Sequence, residues 1–231
     1  MSAQKIFFIT GTDTDAGKTF VSCSILAAAK AQGLTTAAVK PVAAGVSETS
    51  RGLHNDDVIA LAENCSLELA LDEINGVCLN EAIAPHIAAA RSGIKLDAKT
   101  IVEHCRKVID KKADLTLVEG AGGWRVPLSH QETMADIARL LEVPVILVVG
   151  MRLGCLSHAL LTAESIQSDG LELAGWIANR IDAQMPVYEE NVATLVELMP
   201  ALMLAEIPWI AETDPVEKAS RYIDMAKILS K

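Results

Sequence analysis

The run Gly11-Thr-Asp-Thr-Asp-Ala-Gly-Lys-Thr19 gathers small residues, an ammonium and a hydroxyl into one short stretch. Small residues let backbone N–H groups close around phosphate oxygens. Lys18 supplies a charge for β- and γ-phosphates, and the Thr19 hydroxyl is the kind of ligand that joins Mg²⁺. The apolar Ile6-Phe-Phe-Ile9 precedes the run, and Phe20 to Lys30 follows it with helical character. Strand, turn and helix is the setting a phosphate loop requires, because the helix N-terminus adds a positive dipole end. The spacing departs from the general pattern of four residues between the first Gly and Gly-Lys. Here five residues separate Gly11 from Gly17, and Thr12 stands where the first Gly is expected. The competing reading is an ordinary strand-to-helix turn that happens to carry Gly-Lys-Thr.

Three further side chains fit the same chemistry. Lys40 ends an apolar strand just before Pro41, where it points into the crevice of the phosphate loop or simply leaves the strand for solvent. Asp57 opens a helix after a loop; it either contributes a carboxylate or favours the helix dipole, and Asp56 fits either part. Glu119 closes Leu115-Thr-Leu-Val118 and runs into Gly120-Ala-Gly-Gly123. A carboxylate after four nearly buried residues is costly without a cation partner. Thr19, Asp57 and Glu119 therefore form an oxygen set for Mg²⁺, completed by phosphates and water. Gly154-Cys155 precedes a helix whose free amides suit a carboxylate or phosphate; a plain buried Cys in a turn is the alternative. The five histidines show no ligand spacing.

Composition limits the partners. The chain has 231 residues, a net charge of −10, 51% hydrophobic residues and only 3% aromatics. That length fits one α/β domain spanning 1–231 with a core of Ala, Val, Leu and Ile. The acidic balance argues against nucleic acid but not against a nucleotide, which needs only a local positive site. Five scattered cysteines without Cys-x-x-Cys indicate free thiols in a reducing cytoplasm. Neither a signal peptide nor a membrane span is read from the chain.

The elements that must position these residues alternate. Strands are predicted at 36–40, 74–79, 115–119, 143–149, 173–179 and 202–208, beside the first at 6–9. Helices are predicted at 56–63, with Asn55 as N-cap, and at 84–92, 97–111, 133–142, 156–168, 187–198 and 215–229. The segment 43–55 reads as a surface loop. Continuous apolar strands between helices imply a doubly wound, mostly parallel sheet covered on both faces. Ligands of such folds sit at the carboxyl ends of the strands, where the residues above fall.

At this point the chain resembles the dethiobiotin synthetase family. The matching pieces are Gly11–Thr19, Val39-Lys-Pro-Val42, Val118-Glu-Gly-Ala-Gly-Gly-Trp124, Val148-Val-Gly-Met-Arg-Leu-Gly-Cys155, Ala174-Gly-Trp-Ile-Ala-Asn179 and Glu206-Ile-Pro-Trp209, in family order along nearly the whole chain. The five-residue spacing of the loop is this family's own form. The resemblance implies a P-loop enzyme, a cytoplasmic homodimer, that uses ATP and Mg²⁺ to join 7,8-diaminononanoate and CO₂ (or bicarbonate) into dethiobiotin through a carbamate and a carbamic–phosphoric anhydride. It implies Lys40 and Lys18 as catalytic cations. Asp15, Ala16, Gly17, Lys18, Thr19, Phe20, Asp57, Glu119, Gly120, Ala121 and Gly122 match ATP-contacting positions, with Asn179, Ile207, Pro208 and Trp209 on the adenine side. Thr19, Asp57 and Glu119 match the Mg²⁺ ligands. Thr14, Lys40 and Ala44 match the substrate side, with Gly154 and Cys155 reaching the substrate carboxylate of the other subunit.

The chain also departs from the family pattern. Ala44 stands where a Ser is expected, so a substrate hydrogen bond is missing or comes from Ser47. Asp15 replaces a commoner Glu, and Arg180 follows Asn179 where an acid is frequent. Tyr188 lies one helical turn from Asn191, a position often occupied by a Tyr that meets the substrate tail. Two other functions share the scaffold: a cobyrinate-type ligase, and a dimeric partitioning-type ATPase switch. The first usually carries a glutaminase domain, for which 231 residues leave no room. The second normally carries an extra Lys near the start of its phosphate loop, where this chain has Gly11-Thr-Asp13.

Overall fold

The computed structural model describes residues 4–49, 52–211 and 213–231. β1 (Lys5–Gly11) turns through the glycine-bearing loop into α1 (Lys18–Ala31), and β2 (Thr36–Val39) follows. A less regular stretch comes next: β3 (Val42–Ala44), β4 (Ser47–Thr49), β5 (Gly52–His54), α2 (Asp56–Asn64), α3 (Leu71–Ile74), β6 (Val77–Leu79) and α4 (Pro85–Arg91). From α5 (Ala98–Ile109) the chain alternates: β7 (Leu115–Gly123), α6 (Met134–Leu141), β8 (Val145–Gly150), α7 (Cys155–Ser168), β9 (Leu173–Asn179), α8 (Tyr188–Leu198) and β10 (Met203–Ile207). α9 (Pro215–Ser220) and α10 (Met225–Leu229) end it.

Six strands form the main sheet in the order β10-β9-β8-β1-β7-β2, paired in parallel throughout. β1 lies between β7 and β8. The chain therefore leaves β1 toward one edge, returns through β7 and continues to the other edge. That reversal opens a crevice at the carboxyl end of β1, where α/β sheets bind ligands.

Side chains alternate between two apolar layers, as a strand's two-residue period dictates. Phe7, Ile9, Leu115 and Leu117 pack in the layer of α1, with Ile25 and Leu26. Phe8, Val118 and Leu147 pack in the opposite layer, with Cys105, Ile137 and Ala159. Glu119 follows Leu115 and Leu117 by the same period, so its side chain enters the α1 layer. Lys40 follows Ala38 of that layer in the same way.

The doubly wound parallel sheet expected from sequence is present. The segment 43–55, expected as a loop, instead contributes β3, which pairs with β6, and a β4–β5 hairpin. The expected strand 74–79 is the end of α3 followed by β6, outside the main sheet. The expected closing helix divides, because the Asp224 carboxylate accepts from the Ala226 and Lys227 amides and starts a second helix. Among the described residues no helix is long and apolar enough to cross a membrane.

Candidate active site

The loop after β1 is held from three sides. Lys18 Nζ turns back to donate to the Asp13 carbonyl at 3.1 Å. Asn179, at the end of β9, donates its amide to the Ala16 carbonyl at 2.9 Å. Arg152, beyond β8, pairs with the Asp13 carboxylate. Gly17 caps α1 in the left-handed region at φ 83°, and a Cβ there would fall 2.1 Å from Asn179 Nδ2. Only glycine fits that position without moving its neighbour.

The charged centre lies beside this loop. In the pairing of β2 with β7, Val39 stands opposite Val118, which brings the next residues, Lys40 and Glu119, side by side. Lys40 Nζ is 2.7 Å from Glu119 Oε1 and 2.5 Å from Asp57 Oδ2. Asp57 arrives on the first turn of α2, whose cap is Asn55 accepting from the Asp57 amide, as expected. α1 adds two hydroxyls: Thr19 Oγ1 donates to Glu119 Oε1 at 2.6 Å, and Ser22 Oγ donates to Oε2 at 2.7 Å. Glu119 and Ser22 are fully buried and Lys40 nearly so.

Electrostatics follow from this burial. Desolvation alone would push the Lys40 ammonium down, but Glu119 and then Asp57 overcome it and hold its pKa above the ordinary value. Desolvation would likewise raise Asp57, and Lys40 reverses it, with help from the Thr19 hydroxyl. Lys18 goes the other way: its burial outweighs the attraction of Glu119, and its pKa falls. Lys40 thus occupies the space between two carboxylates as a cation would. Glu119, Asp57 and Thr19 offer only oxygens, the donors of a hard cation. Among the described residues no group of three or more His, Cys, Asp or Glu side chains is placed to hold a metal ion by itself.

A cleft of about 860 Å³ opens over this centre. Of the expected nucleotide and substrate residues, Thr14, Asp15, Gly17, Lys18, Thr19, Phe20, Lys40, Ala44, Asp57, Ala121 and Gly122 line it. A second cleft of about 490 Å³ adjoins it, sharing Thr14, Val126 and Pro127 as a common wall. Gly120 lies against Phe8, whose ring a Cβ would approach to 3.1 Å, so its part is close packing. Ile207 is buried while Trp209 is half exposed; the Ile207 carbonyl accepts from the Arg180 amide, just past Asn179. Gly154 and Cys155 start α7 and are not among the residues lining this cleft. Ser47 does not replace the hydroxyl absent at Ala44, because it donates to Asp56 Oδ1 at 2.5 Å. The same bond separates the two acids: Asp56 serves the hairpin and Asp57 the site. Tyr188 is buried beneath the Arg180 guanidinium, 4.3 Å from the ring centroid, and is a packing residue.

Relatives of known name decide the family. The protein is 51% identical to the ATP-dependent dethiobiotin synthetase BioD of Cellvibrio japonicus, over 98% of this chain and 99% of that one. It is 45% identical to BioD 1 of Escherichia coli K12, over 96% and 98%. The chain belongs to the dethiobiotin synthetase family. Its members are ATP-dependent enzymes of the ligase class that form C–N bonds, and this chain is one of them. A family model described as an AAA domain matches residues 5–217. Among solved structures, the septum site-determining protein MinD from Pyrococcus horikoshii superposes with a TM-score of 0.57 at 18% identity, each chain covered in full. A ParA family ATPase from Chlorobium tepidum gives 0.55 at 11%, over 99% of this chain and 94% of that one. These likenesses establish the phosphate-loop NTPase fold.

Sequence reasoning missed Ser22, Arg152 and the Asn179–Ala16 bond. Ser22 had a signal: it lies three residues after Thr19, on the same side of a helix. Arg152 and Asp13 are too far apart in the chain for any local pattern to join them.

Proposed function

We propose that this chain, working as one domain over residues 1–231, carboxylates and cyclises 7,8-diaminononanoate to dethiobiotin at the expense of ATP. The observation that carries the reading is the convergence of Lys18, Thr19, Lys40 and Asp57 on one cleft, with Glu119 buried behind them and bonded to Thr19 and Lys40, in a chain of this family. One amine of the diamine takes up CO₂ as a carbamate and releases a proton. A carbamate oxygen attacks the γ-phosphorus and ADP departs, leaving a carbamic–phosphoric anhydride. The second amine attacks the anhydride carbonyl, closes the ureido ring and expels phosphate. Lys18 and Lys40 neutralise the oxygens that gain charge in the transfer. The two walls of the cleft align the reactants, and ring closure is intramolecular, with high effective molarity.

Thr19, Asp57 and Glu119 suit Mg²⁺, which when bound supplies charge neutralisation for the transferring phosphoryl group. Asn179 and the run Ile207-Pro-Trp209 serve the adenine side. The protein is a cytoplasmic homodimer in this reading. Leu153, just before α7, and Leu161, midway along it, are exposed and support such an interface, and Gly154 and Cys155 then serve the substrate carboxylate of the other subunit. Purified protein supplied with diaminononanoate, bicarbonate, Mg²⁺ and ATP should release phosphate and form dethiobiotin detectable by mass spectrometry. ATP turnover that ignores the diamine and yields no dethiobiotin would refute the reading.

A further inference from the structure

Two hydroxyls from one helix share the Glu119 carboxylate, one on each oxygen. Thr19 takes Oε1 at 2.6 Å and belongs to the phosphate-loop pattern. Ser22 takes Oε2 at 2.7 Å and belongs to no such pattern. Ser22 is fully buried, so it touches neither nucleotide nor diamine and can act only through Glu119. Its neighbour Ser24 provides the contrast. Ser24 donates to the Phe20 carbonyl one turn back, at 2.7 Å, the usual refuge of a buried helical hydroxyl. Ser22 spends its hydrogen on the carboxylate instead.

We infer that Ser22 is a positioning residue for the cation site: by holding Oε2 it fixes Oε1 toward Thr19 and Lys40, which line the cleft. Oε1 is a contested atom, addressed by Thr19, by Lys40 and, in the reading above, by Mg²⁺. Oε2 stands apart from that exchange, so the bond from Ser22 persists whichever cation is present. Glutamate also has one more torsion than aspartate, and its terminal torsion is broad. A second hydroxyl on the far oxygen removes that freedom before any ligand arrives.

The inference rests on Glu119 acting as a metal ligand, and the test separates the two. Ser22→Ala removes the hydroxyl; Ser22→Cys keeps the volume but donates poorly. Mg²⁺ is titrated calorimetrically into protein loaded with a non-hydrolysable ATP analogue, and turnover is followed against Mg²⁺ at saturating ATP and diamine. Both variants should bind Mg²⁺ about tenfold more weakly, the size of one lost hydrogen bond to a charged group. Their KM for diaminononanoate should be unchanged, and high Mg²⁺ should restore kcat to within about twofold, since only site occupancy is lost. A merely structural serine would lower the melting temperature of the Ala variant and leave the Cys variant with wild-type Mg²⁺ affinity. That result overturns the inference, as does wild-type affinity in both variants. If the Ala variant does not fold, the Cys variant carries the test. Absence of Mg²⁺ uptake by the wild-type complex would remove the metal reading itself, and the role of Ser22 with it.

Discussion

Lys40 and Glu119 are neighbours across a parallel strand pair, and the ammonium of one neutralises the buried carboxylate of the other at 2.7 Å. Strand register creates this contact, and Asp57 then joins it from α2. A cation is therefore built into the position where the proposed Mg²⁺ ligands converge.

Lys40→Met should separate the two duties of this lysine. With the ammonium gone, Glu119 is left as a buried charge, and stability without divalent cation should fall by about 3–5 kcal/mol. Mg²⁺ should then stabilise the variant more than the wild type, because a cation recovers what the lysine supplied. Turnover should fall at least about 100-fold while ATP affinity stays within a few-fold. Denaturant melts with and without Mg²⁺, together with turnover, read out both effects. Equal Mg²⁺ stabilisation in the two proteins would mean that lysine and metal do not share the site.

The same cluster sets opposite pH limits. The fold holds Lys40 above its ordinary 10.5, so its contribution is complete below pH 10.5 and is lost as pH climbs through the higher folded value. Asp57 is held below its ordinary 3.8, so its contribution is present above that pH and disappears as pH falls through the lower folded value. Urea midpoints measured from pH 3 to 11 should decline at both ends. Asp57→Asn should flatten the acid limb, and Lys40→Met the alkaline one. An acid limb unchanged in Asp57→Asn would show that other carboxylates govern it.

Thiol reactivity should divide along burial. Cys78 is exposed, whereas Cys23, Cys65, Cys105 and Cys155 are buried and all five are free. Burial pushes Cys65 up to about 11 and Cys105 up to about 12, so neither presents thiolate near neutrality. A chromogenic disulfide reagent at pH 8 should label one thiol per chain quickly and all five only in denaturant. Two or more fast thiols in the native protein would contradict this packing.

Legibility from sequence follows the length and chemistry of each element. Buried parallel strands such as Val145–Gly150 are unbroken apolar runs and could be read directly. The three-residue strands β3 to β5 are too short to show a period, so the wall carrying Ala44 reads as loop. The division of the last helix had a signal in Asp224, but the apolar spacing around it reads as continuous. In the site, Lys18, Thr19, Lys40, Asp57 and Glu119 were legible because each sits at the end or start of an element facing the crevice. The engagement of Ser47 with Asp56 was not, because it depends on how a hairpin folds back over α2.

The contact between Gly17 and Asn179 yields the last prediction. A Cβ at position 17 would collide with Asn179 Nδ2 at 2.1 Å and would also sit on a backbone at φ 83° that disfavours side chains. Gly17→Ala should therefore push Asn179 off the Ala16 carbonyl and distort the loop, with ATP affinity falling 100-fold or more. Asn179→Ala removes the bond to the Ala16 carbonyl and, in the proposed reading, a contact on the adenine side, and should cost at least about tenfold, equivalent to roughly 1.4 kcal/mol. Combining the two removes the collision but keeps the backbone strain. The double variant should bind ATP better than Gly17→Ala alone, a non-additivity expected of residues in contact. Calorimetric titration of ATP into the three proteins measures it. Strictly additive losses would mean that Asn179 is not what excludes a side chain at position 17.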